Sequence, residues 1–399
     1  MTVPAYRLDN PVRDYDWGSP TAIPELLGVP PTGRPQAELW MGAHPSAPSR
    51  LAGDGTLADR IAADPEGELG APVLAEFGPR LPFLFKVLAA AKPLSLQAHP
   101  TLEAARAGYA REDARGIPPD APERNYADRS HKPEVLCALT PFHALGGFRA
   151  VPETVRLLDG LCVPELAPYR AMLAAADGLR RVVTTLLTLP AERRAGLVGA
   201  VAVACRADPG GEFGAERRVA ADLAVRYPAD PGVVIALLLN HVELAPGEAL
   251  FMPAGNLHAY LSGTGVEIMA NSDNVLRGGL TSKHIDVPEL LGVLDFAGGP
   301  PPLVTPRPGP DGGTQYPVPV REFRLTRYEV GDRPSTVDGG APQILLCTAG
   351  SVELSGVDGD PEPLPRGASA YLPASRKAVT LTGRGVVFGA GTNLGWGLD

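Results

Sequence analysis

Lysine and cysteine are both scarce in this chain of 399 residues. Only five of its 36 basic residues are lysines, namely Lys86, Lys92, Lys132, Lys283 and Lys377. Arginine, alanine, glycine and proline are abundant instead, which indicates a GC-rich coding bias. Under such a bias, a lysine that has not become arginine is a candidate for a chemical role.

Long apolar runs and an excess of positive charge are missing as well. No run of about 18 apolar residues is present to cross a membrane, and segment 1–19 has no apolar run of signal length. The four cysteines show no CxxC pair and no disulfide-like spacing, which is typical of a reducing cytoplasm. The formal net charge of −9 disfavours a nucleic-acid partner, since no basic stripe can neutralise phosphates. A small anionic substrate needs only a local cationic pocket, and we expect a cytoplasmic monomer, with a homo-oligomer left open.

The first 150 residues contain short apolar runs separated by Gly and Pro. Runs 81–90, 93–99 and 133–139 are bounded by Pro or polar clusters and predict strands. Segment 101–113 predicts a helix with Thr101 as its N-cap. A long loop, of the kind that is often functional, follows it up to His131.

Residues 151–231 change to helical periodicity, with apolar residues near i, i+3, i+4 and i+7. Strand signals return with the run 233–239, and 299–312 is a Pro/Gly linker. Short strands at regular spacing then predict a sandwich or barrel. We therefore predict a mainly β protein with an α-helical insertion: a discontinuous β domain (1–150 and 232–298), a helical domain (151–231) and a C-terminal β domain (313–399).

Gln97 and His99 are two residues apart on a predicted strand, so their side chains share one face. Glu134 begins another predicted strand, and His258 follows a turn rich in Pro and Gly. Three separate segments that converge in a β-barrel can build a cavity site, and zinc accepts both imidazole nitrogen and carboxylate oxygen. Spacing alone leaves the alternative that Gln97 and His99 simply lie on an exposed strand face.

Several motifs in the same order resemble the type I mannose-6-phosphate isomerases, also called phosphomannose isomerases. The motifs are YDWGS (15–19), AELWMGAHPSAPS (37–49), LPFLFKVL (81–88), PLSLQAHP (93–100), HKPE (131–134), ALGGFR (144–149) and PAGNLHAYLSGTGVEIMANSDNVLRGGLTSKH (253–284). The resemblance covers residues 6–290, whereas the C-terminal hundred residues are less distinctive.

The resemblance implies two cupin-like (jelly-roll) β domains with a helical domain inserted into the first. It also implies one zinc ion held by Gln97, His99, Glu134 and His258, with a catalytic arginine at Arg277. The same donor set could hold Mn²⁺, Co²⁺ or Fe²⁺. A salt bridge to Asp273 is the alternative role for Arg277.

The implied reaction interconverts mannose 6-phosphate and fructose 6-phosphate through an enediolate, with the metal and a fixed cation stabilising the developing charge. The residue that transfers the proton stays open among three candidates: Glu267, Lys132 and Asp273. Candidate substrate or phosphate contacts are Lys86, Ser95, Lys283 and His131.

Two other functions fit the same residues. Another metal-dependent cupin enzyme, such as an iron dioxygenase, would share the barrel and the ligand cluster, although such sites favour histidines. A non-catalytic cupin that binds sugar phosphate would not need four metal ligands. The glutamine ligand and Arg277 favour the isomerase.

Overall fold

Strands dominate the computed structural model, which describes residues 5–51, 53, 55–208, 210–356 and 361–394. The strands, in chain order, are β1 (Tyr6–Asp9), β2 (Val12–Arg13), β3 (Glu38–Met41), β4 (Arg50–Leu51), β5 (Phe83–Ala90), β6 (Leu96–Ala98), β7 (Glu134–Ala138), β8 (Phe142–Phe148), β9 (Leu239–Leu244), β10 (Ala249–Met252), β11 (His258–Ala270), β12 (Leu276–Gly279), β13 (Leu303–Val304), β14 (Arg307–Pro308), β15 (Thr314–Tyr316), β16 (Arg324–Val330), β17 (Ser335–Val337), β18 (Gln343–Ser355), β19 (Glu362–Pro365), β20 (Ser369–Leu372) and β21 (Val379–Gly391).

Helices occur mainly before β5 and between β8 and β9. They are α1 (Ala22–Leu27), α2 (Leu57–Ala63), α3 (Pro65–Leu69), α4 (Ala71–Phe77), α5 (Leu102–Ala114), α6 (Val151–Leu161), α7 (Ala167–Met172), α8 (Gly178–Leu187), α9 (Ala191–Ala207), α10 (Gly214–Arg226), α11 (Gly232–Ala236) and α12 (Val287–Val293), with a 3₁₀ turn at Pro164–Leu166. Within the described residues, none of these helices is long and apolar enough to span a bilayer.

The strands form two antiparallel sheets. One has the order β13-β10-β7-β11-β5-β3-β2, and β6, β12, β8 and β9 extend it from β11. The other has the order β14-β15-β16-β21-β18-β20-β1-β4, with β17 on β21 and β19 on β18. We call them the first and the second sheet.

Strand β11 organises the first sheet because it takes part in two sets of pairings. Its first residues pair with β6 and β8, so that His258 lies opposite both Gln97 and Gly146. Its later residues, from Gly263 to Ala270, pair with β5 and β7. One long strand therefore carries side chains to two different parts of the first sheet.

Apolar packing fills both sheets and the space between them. Leu136, Phe142, Leu250 and Tyr260 belong to one buried cluster inside the first sheet. A second cluster joins the two sheets, since it includes residues of both, among them Phe85, Val135, Tyr371 and Phe388. The helices α6–α11 have their own core, which is continuous with Leu96 and Leu257 next to the first sheet.

The predicted strands over 81–90, 93–99 and 133–139 are confirmed as β5, β6 and β7, and the helix capped by Thr101 is confirmed as α5. The strand predicted over 233–239 is wrong in its first part. Residues 232–236 form helix α11, all of them buried, and β9 begins only at Leu239. Asp230 accepts a hydrogen bond from the backbone N–H of Gly232 at 2.7 Å and starts this turn. A short, wholly buried apolar run does not distinguish a helix from a strand by periodicity.

The N-terminal residues contribute to both sheets. Strand β1 pairs with β20 and with β4, so Tyr6 lies opposite Tyr371 in the second sheet. Helices α1–α4 lie in a region for which the sequence predicted only strands and turns. The predicted linker 299–312 contains the short strands β13 and β14.

The long loop after α5 is fastened to that helix by one carboxylate. Glu112 accepts hydrogen bonds from the backbone N–H groups of Asn125 at 3.1 Å and Tyr126 at 2.9 Å, and pairs with Arg124 at 3.1 Å. The ring of Tyr126 is fully buried against Gly108 of α5. The loop is thereby positioned to deliver residues 128–134 to the first sheet.

Replacing Gly108 should loosen this attachment. A Cβ at Gly108 would overlap the ring of Tyr126, so we expect Gly108→Ala to lower the free energy of unfolding by about 1–3 kcal/mol. Gly196→Ala is the matched control, because a Cβ there meets nothing within 4 Å on helix α9, and it should stabilise by about 0.5–1 kcal/mol. Denaturant unfolding of both variants tests this, and equal effects would contradict the packing described.

Candidate functional site

Strand register places three polar side chains in one row across the first sheet. Arg277 of β12 lies opposite Gln97 of β6, which in turn lies opposite His258 of β11. Directly opposed residues in antiparallel strands project to the same face. His99, two residues after Gln97, follows on that face just beyond the end of β6.

Glu134 completes a buried cluster with the two histidines. Its Oε2 atom is 3.5 Å from Nε2 of His99 and 3.5 Å from Nε2 of His258, and all three residues are buried. The amide of Gln97 reaches Nε2 of His258 at 3.4 Å. The four predicted metal ligands therefore meet at one point.

The hydrogen bonds behind the cluster fix the state of both rings. Nδ1 of His99 donates to the backbone carbonyl of Asn274 at 2.7 Å, and Nδ1 of His258 donates to that of Asn256 at 3.0 Å. Burial, followed by the charge of Lys132, lowers the pKa of His99 to about 4. Each ring is therefore arranged to present the lone pair of Nε2 toward Glu134.

The Nε2 atoms of the two histidines and the carboxylate of Glu134 are all hydrogen-bond acceptors, so none of these buried groups can donate to another. Nε2 of His99 and Oε2 of Glu134 make no hydrogen bond among the described residues, a costly arrangement unless a cation lies between them. Tetrahedral zinc with ligand bonds of about 2.0–2.2 Å sets neighbouring ligand atoms about 3.4 Å apart. The separations of 3.4–3.5 Å fit this value. Gln97 would contribute its oxygen, since an amide can turn either atom to one point.

Lys132 keeps the Glu134 carboxylate ionised. Its Nζ is 2.8 Å from Oε1 of Glu134, on the side away from the histidines. Burial opposes the charge of Glu134, but Lys132 and His99 outweigh it and hold the pKa of Glu134 well below its usual range. The carboxylate thus remains available to a metal.

A second buried ionic group lies on β5 and β11. Lys86 and Glu267 are opposed in register, with Nζ 3.0 Å from Oε2 of Glu267 and 3.6 Å from Oε1 of Glu38. Burial disfavours the lysine charge, but these two carboxylates outweigh it and raise the pKa of Lys86. The indole of Trp40 donates to Glu38 at 2.7 Å.

A cavity of about 1250 Å³ opens above these groups, between the first sheet and the helices. Its floor includes Gln97 and Lys132, which touch the buried ligands. Seven basic and four acidic side chains line it: Lys86, Lys92, Lys132, Arg194, Arg226, Arg277 and Lys283 against Asp16, Glu38, Asp230 and Asp273. The cavity lining therefore carries an excess of positive charge, although the whole chain has a net charge of −9.

Of the eight residues predicted for catalysis or substrate binding, six line this cavity and two do not. Ser95, Lys86, Lys132, Asp273, Arg277 and Lys283 are among the lining residues. Glu267 is fully buried behind Lys86. His131 points elsewhere: its Nε2 is 2.5 Å from Oε1 of Glu322, which precedes β16 of the second sheet.

Asp273 and Arg277 do not pair with each other. Nε2 of the buried His44 lies 3.3 Å from Oδ2 of Asp273, and its hydrogen bond lowers the pKa of Asp273. The backbone N–H of Ser46 donates to Nδ1 of His44 at 3.3 Å, which leaves the proton on Nε2. The guanidinium of Arg277 has no hydrogen bond or ion pair among the described residues. Burial lowers the pKa of Arg277, but a guanidinium remains charged at neutral pH.

Sequence reasoning missed the residues that support the ligands. Asp128 accepts hydrogen bonds from the backbone N–H of Asp273 at 2.7 Å and from the hydroxyl of Ser272 at 2.9 Å. The side-chain amide of Asn274 donates to the backbone carbonyl of Asp128 at 2.9 Å. The backbone carbonyl of Asn274 accepts from His99. The available signal was the polar triplet 272–274 within the NSDNVLRGG motif.

The helical block also contributes one wall of the cavity through Leu187, Arg194, Arg226 and Tyr227. These residues lie on or next to α8, α9 and α10. Nothing in their spacing distinguishes them from ordinary positions of amphipathic helices, so sequence reasoning does not assign them to a site.

Proteins of one family are similar to this chain. Residues 5–151 match the family described as phosphomannose isomerase type I, catalytic domain. The mannose-6-phosphate isomerase of Escherichia coli (strain K12) is 41% identical over 387 residues, which cover 95% of this chain and 97% of that protein.

Solved structures show the same similarity over the whole chain. A mannose 6-phosphate isomerase bound with zinc and yttrium has a TM-score of 0.90 and 38% identity, and the match covers 98% of this chain and 100% of that chain. A mutant of phosphomannose isomerase from Salmonella typhimurium also has a TM-score of 0.90, with 37% identity and the same coverage.

Asp128 should control metal affinity without being a ligand. In Asp128→Asn an amide N–H₂ would replace an acceptor oxygen, so the segment 272–274 that orients His99 should lose support. We expect the affinity for Zn²⁺ to fall about 10–100-fold, as for other losses behind metal ligands. Asp120→Asn, in an exposed part of the same loop, should bind Zn²⁺ normally. Competition with a chromogenic chelator measures both, and unchanged affinity in Asp128→Asn would contradict this support.

Proposed function

This chain belongs to the type I phosphomannose isomerase family, and from that premise we propose that it is a zinc-dependent isomerase interconverting mannose 6-phosphate and fructose 6-phosphate. The observation that carries the proposal is the convergence of His99, Glu134 and His258 beneath a cavity with excess positive charge. The buried cluster suits a divalent cation, and the cavity suits a small phosphorylated substrate.

We propose that Gln97, His99, Glu134 and His258 hold the zinc ion. When bound, zinc would act as a Lewis acid that makes the proton at C2 of the open-chain sugar more acidic by polarising the adjacent oxygen. The protein contributes the orientation of the ligands, since Asn274 and Asn256 fix the two rings. Lys132 balances the charge of Glu134 from the other side.

Arg277 is proposed to stabilise the enediolate oxygens. It lies opposite Gln97 in the strand register and lines the cavity. Because no described residue pairs with it, its guanidinium is free to donate two hydrogen bonds to substrate. A fixed charge already in place when negative charge develops costs no reorganisation during the reaction.

Of the three candidates for proton transfer, Asp273 is the one best placed. It lines the cavity with a side chain that is 56% exposed and is held by His44. Lys132 is engaged with Glu134 at 2.8 Å, and Glu267 is fully buried and paired with Lys86. We propose that Asp273 moves the proton and that the Glu267–Lys86 pair shapes the cavity floor.

The phosphate is proposed to bind toward Lys283, with Ser95 as a neutral donor. Both residues line the cavity, and Lys283 is exposed. Lys86 is a poorer candidate than the sequence indicated, because two carboxylates already neutralise its charge. His131 lies against Glu322, so we no longer include it among the phosphate contacts.

The family also supports a finer description of the fold. We propose that each sheet is a cupin-like (jelly-roll) domain, with a helical domain at 151–231 inserted into the first. Long antiparallel sheets with buried interiors support this view. The four cysteines are free, three of them buried, which agrees with a cytoplasmic enzyme. A monomer stays our prediction.

Lys86 and Lys283 should respond differently to neutralisation. Lys86→Met would leave Glu267 and Glu38 buried without a cation, and breaking such a pair costs about 3–5 kcal/mol of stability. Lys283→Met should leave stability unchanged and raise KM for the sugar phosphate about 10–100-fold, the value of a charged hydrogen bond. Unfolding curves and initial rates test this, and an unchanged KM in Lys283→Met would remove it from the phosphate site.

Turnover tests the proposed function directly. Zinc-loaded protein should form fructose 6-phosphate from mannose 6-phosphate in a coupled assay, a chelator should abolish this activity, and added Zn²⁺ should restore it. Arg277→Gln should bind zinc normally while kcat falls about 100–1000-fold, as for the loss of an oxyanion donor. The absence of turnover in the zinc-loaded protein would contradict the isomerase, and oxygen uptake would identify a dioxygenase instead.

A further inference from the structure

A second group of metal-binding side chains lies on strands β8 and β9, away from the cavity. His143 is directly opposite Glu243, and His241 is two residues before Glu243 on the same strand. Residues i and i+2 of a strand share a face, so the three side chains project together. His143, His241 and Glu243 have ligand atoms that all lie within 4.8 Å of one another.

The arrangement of these atoms suits coordination better than hydrogen bonding. Oε1 of Glu243 is 3.8 Å from Nδ1 of His241 and 3.9 Å from Nδ1 of His143. Both distances are too long for a hydrogen bond. They are a few tenths of an ångström wider than the separation of about 3.4 Å between ligands of a tetrahedral metal, a gap that side-chain rotation can close. The two rings are stacked, with centroids 5.7 Å apart and an angle of 12° between their planes, so the exposed ring of His143 would turn for both nitrogen lone pairs to reach one ion.

The charges around the group leave room for a cation. Within the described part of the chain, no lysine or arginine pairs with Glu243. The guanidinium of Arg149, whose charge acts on His241, is committed to Glu216 at 3.0 Å and to the backbone carbonyl of Leu239 at 2.8 Å. The side chain of His241 is only 5% exposed, whereas those of His143 and Glu243 are open to solvent. One buried and two accessible ligands give an ion a route into the site.

We propose that His143, His241 and Glu243 form a second metal site, for a borderline divalent ion such as Zn²⁺, with water at the remaining position. Two imidazoles and one carboxylate are a donor set that zinc accepts. The segment between His143 and His241 contains the whole helical block from α6 to α11. An ion at this position would therefore link the two strands from which that block leaves and to which it returns, and would stabilise its attachment. This site does not depend on the proposed isomerase activity.

Titration of the zinc-loaded enzyme with ZnCl₂ tests the proposal. After desalting, wild-type protein should keep one tightly bound equivalent and take up one more by isothermal titration calorimetry. Glu243→Gln and His143→Asn should each weaken the second equivalent at least about tenfold. Glu353→Gln, an exposed strand glutamate of the second sheet, is the matched control and should retain it.

Thermal unfolding gives a second readout that is independent of catalysis. A ligand that binds only the folded state raises Tm, so added Zn²⁺ should raise the Tm of wild-type protein and of Glu353→Gln more than that of Glu243→Gln. Isomerase activity of all variants should stay at the wild-type level, because none of these residues lines the cavity. No uptake of zinc by wild-type protein beyond the retained equivalent, or a second equivalent that persists in both site variants, would overturn the proposal.

Discussion

The structure depends on one electrostatic constraint, the buried carboxylate of Glu134 facing the lone pairs of two imidazoles. Such a group is unfavourable without a cation, yet the surrounding hydrogen bonds enforce it. Asn274 and Asn256 orient the rings, Asp128 holds the segment of Asn274, and Lys132 balances the far oxygen of Glu134. Part of the folding free energy is therefore spent on keeping a site that becomes favourable only when metal binds.

Acidic residues outnumber basic ones in the chain as a whole. Around the cavity above that site, basic side chains outnumber acidic ones. Buried carboxylates next to the floor are each matched by a lysine, as with Glu267 and Lys86. Arg277 and Lys283 remain available to a ligand. The helices also line part of the cavity, so they contribute to its shape together with the first sheet.

Strand periodicity and motifs pointed to the four residues that meet in the buried cluster, but not to their surroundings. Gln97 and His99 follow from the two-residue repeat of β6, whereas their meeting with Glu134 and His258 depends on pairings between β6, β7 and β11 that spacing does not contain. The apolar run before β9 was ambiguous because all of its residues are buried. Asp128 and Arg226 gave no signal, since an aspartate in a long loop and an arginine at a helix end are common on any surface. His131 was assigned to the site together with its motif neighbour Lys132. The side chains of adjacent residues point in different directions at the start of a strand, and these two contact Glu322 and Glu134 respectively.

The pairing of β1 with β20 joins residues from the two ends of the chain. During synthesis on the ribosome, β1 emerges long before β20, and the edge of β1 that pairs with β20 stays open in the meantime. No single cut would release a self-sufficient first half. Gene fusion or domain shuffling at the boundary before the second sheet would separate β1 from its partner, so the two sheets are expected to be inherited together.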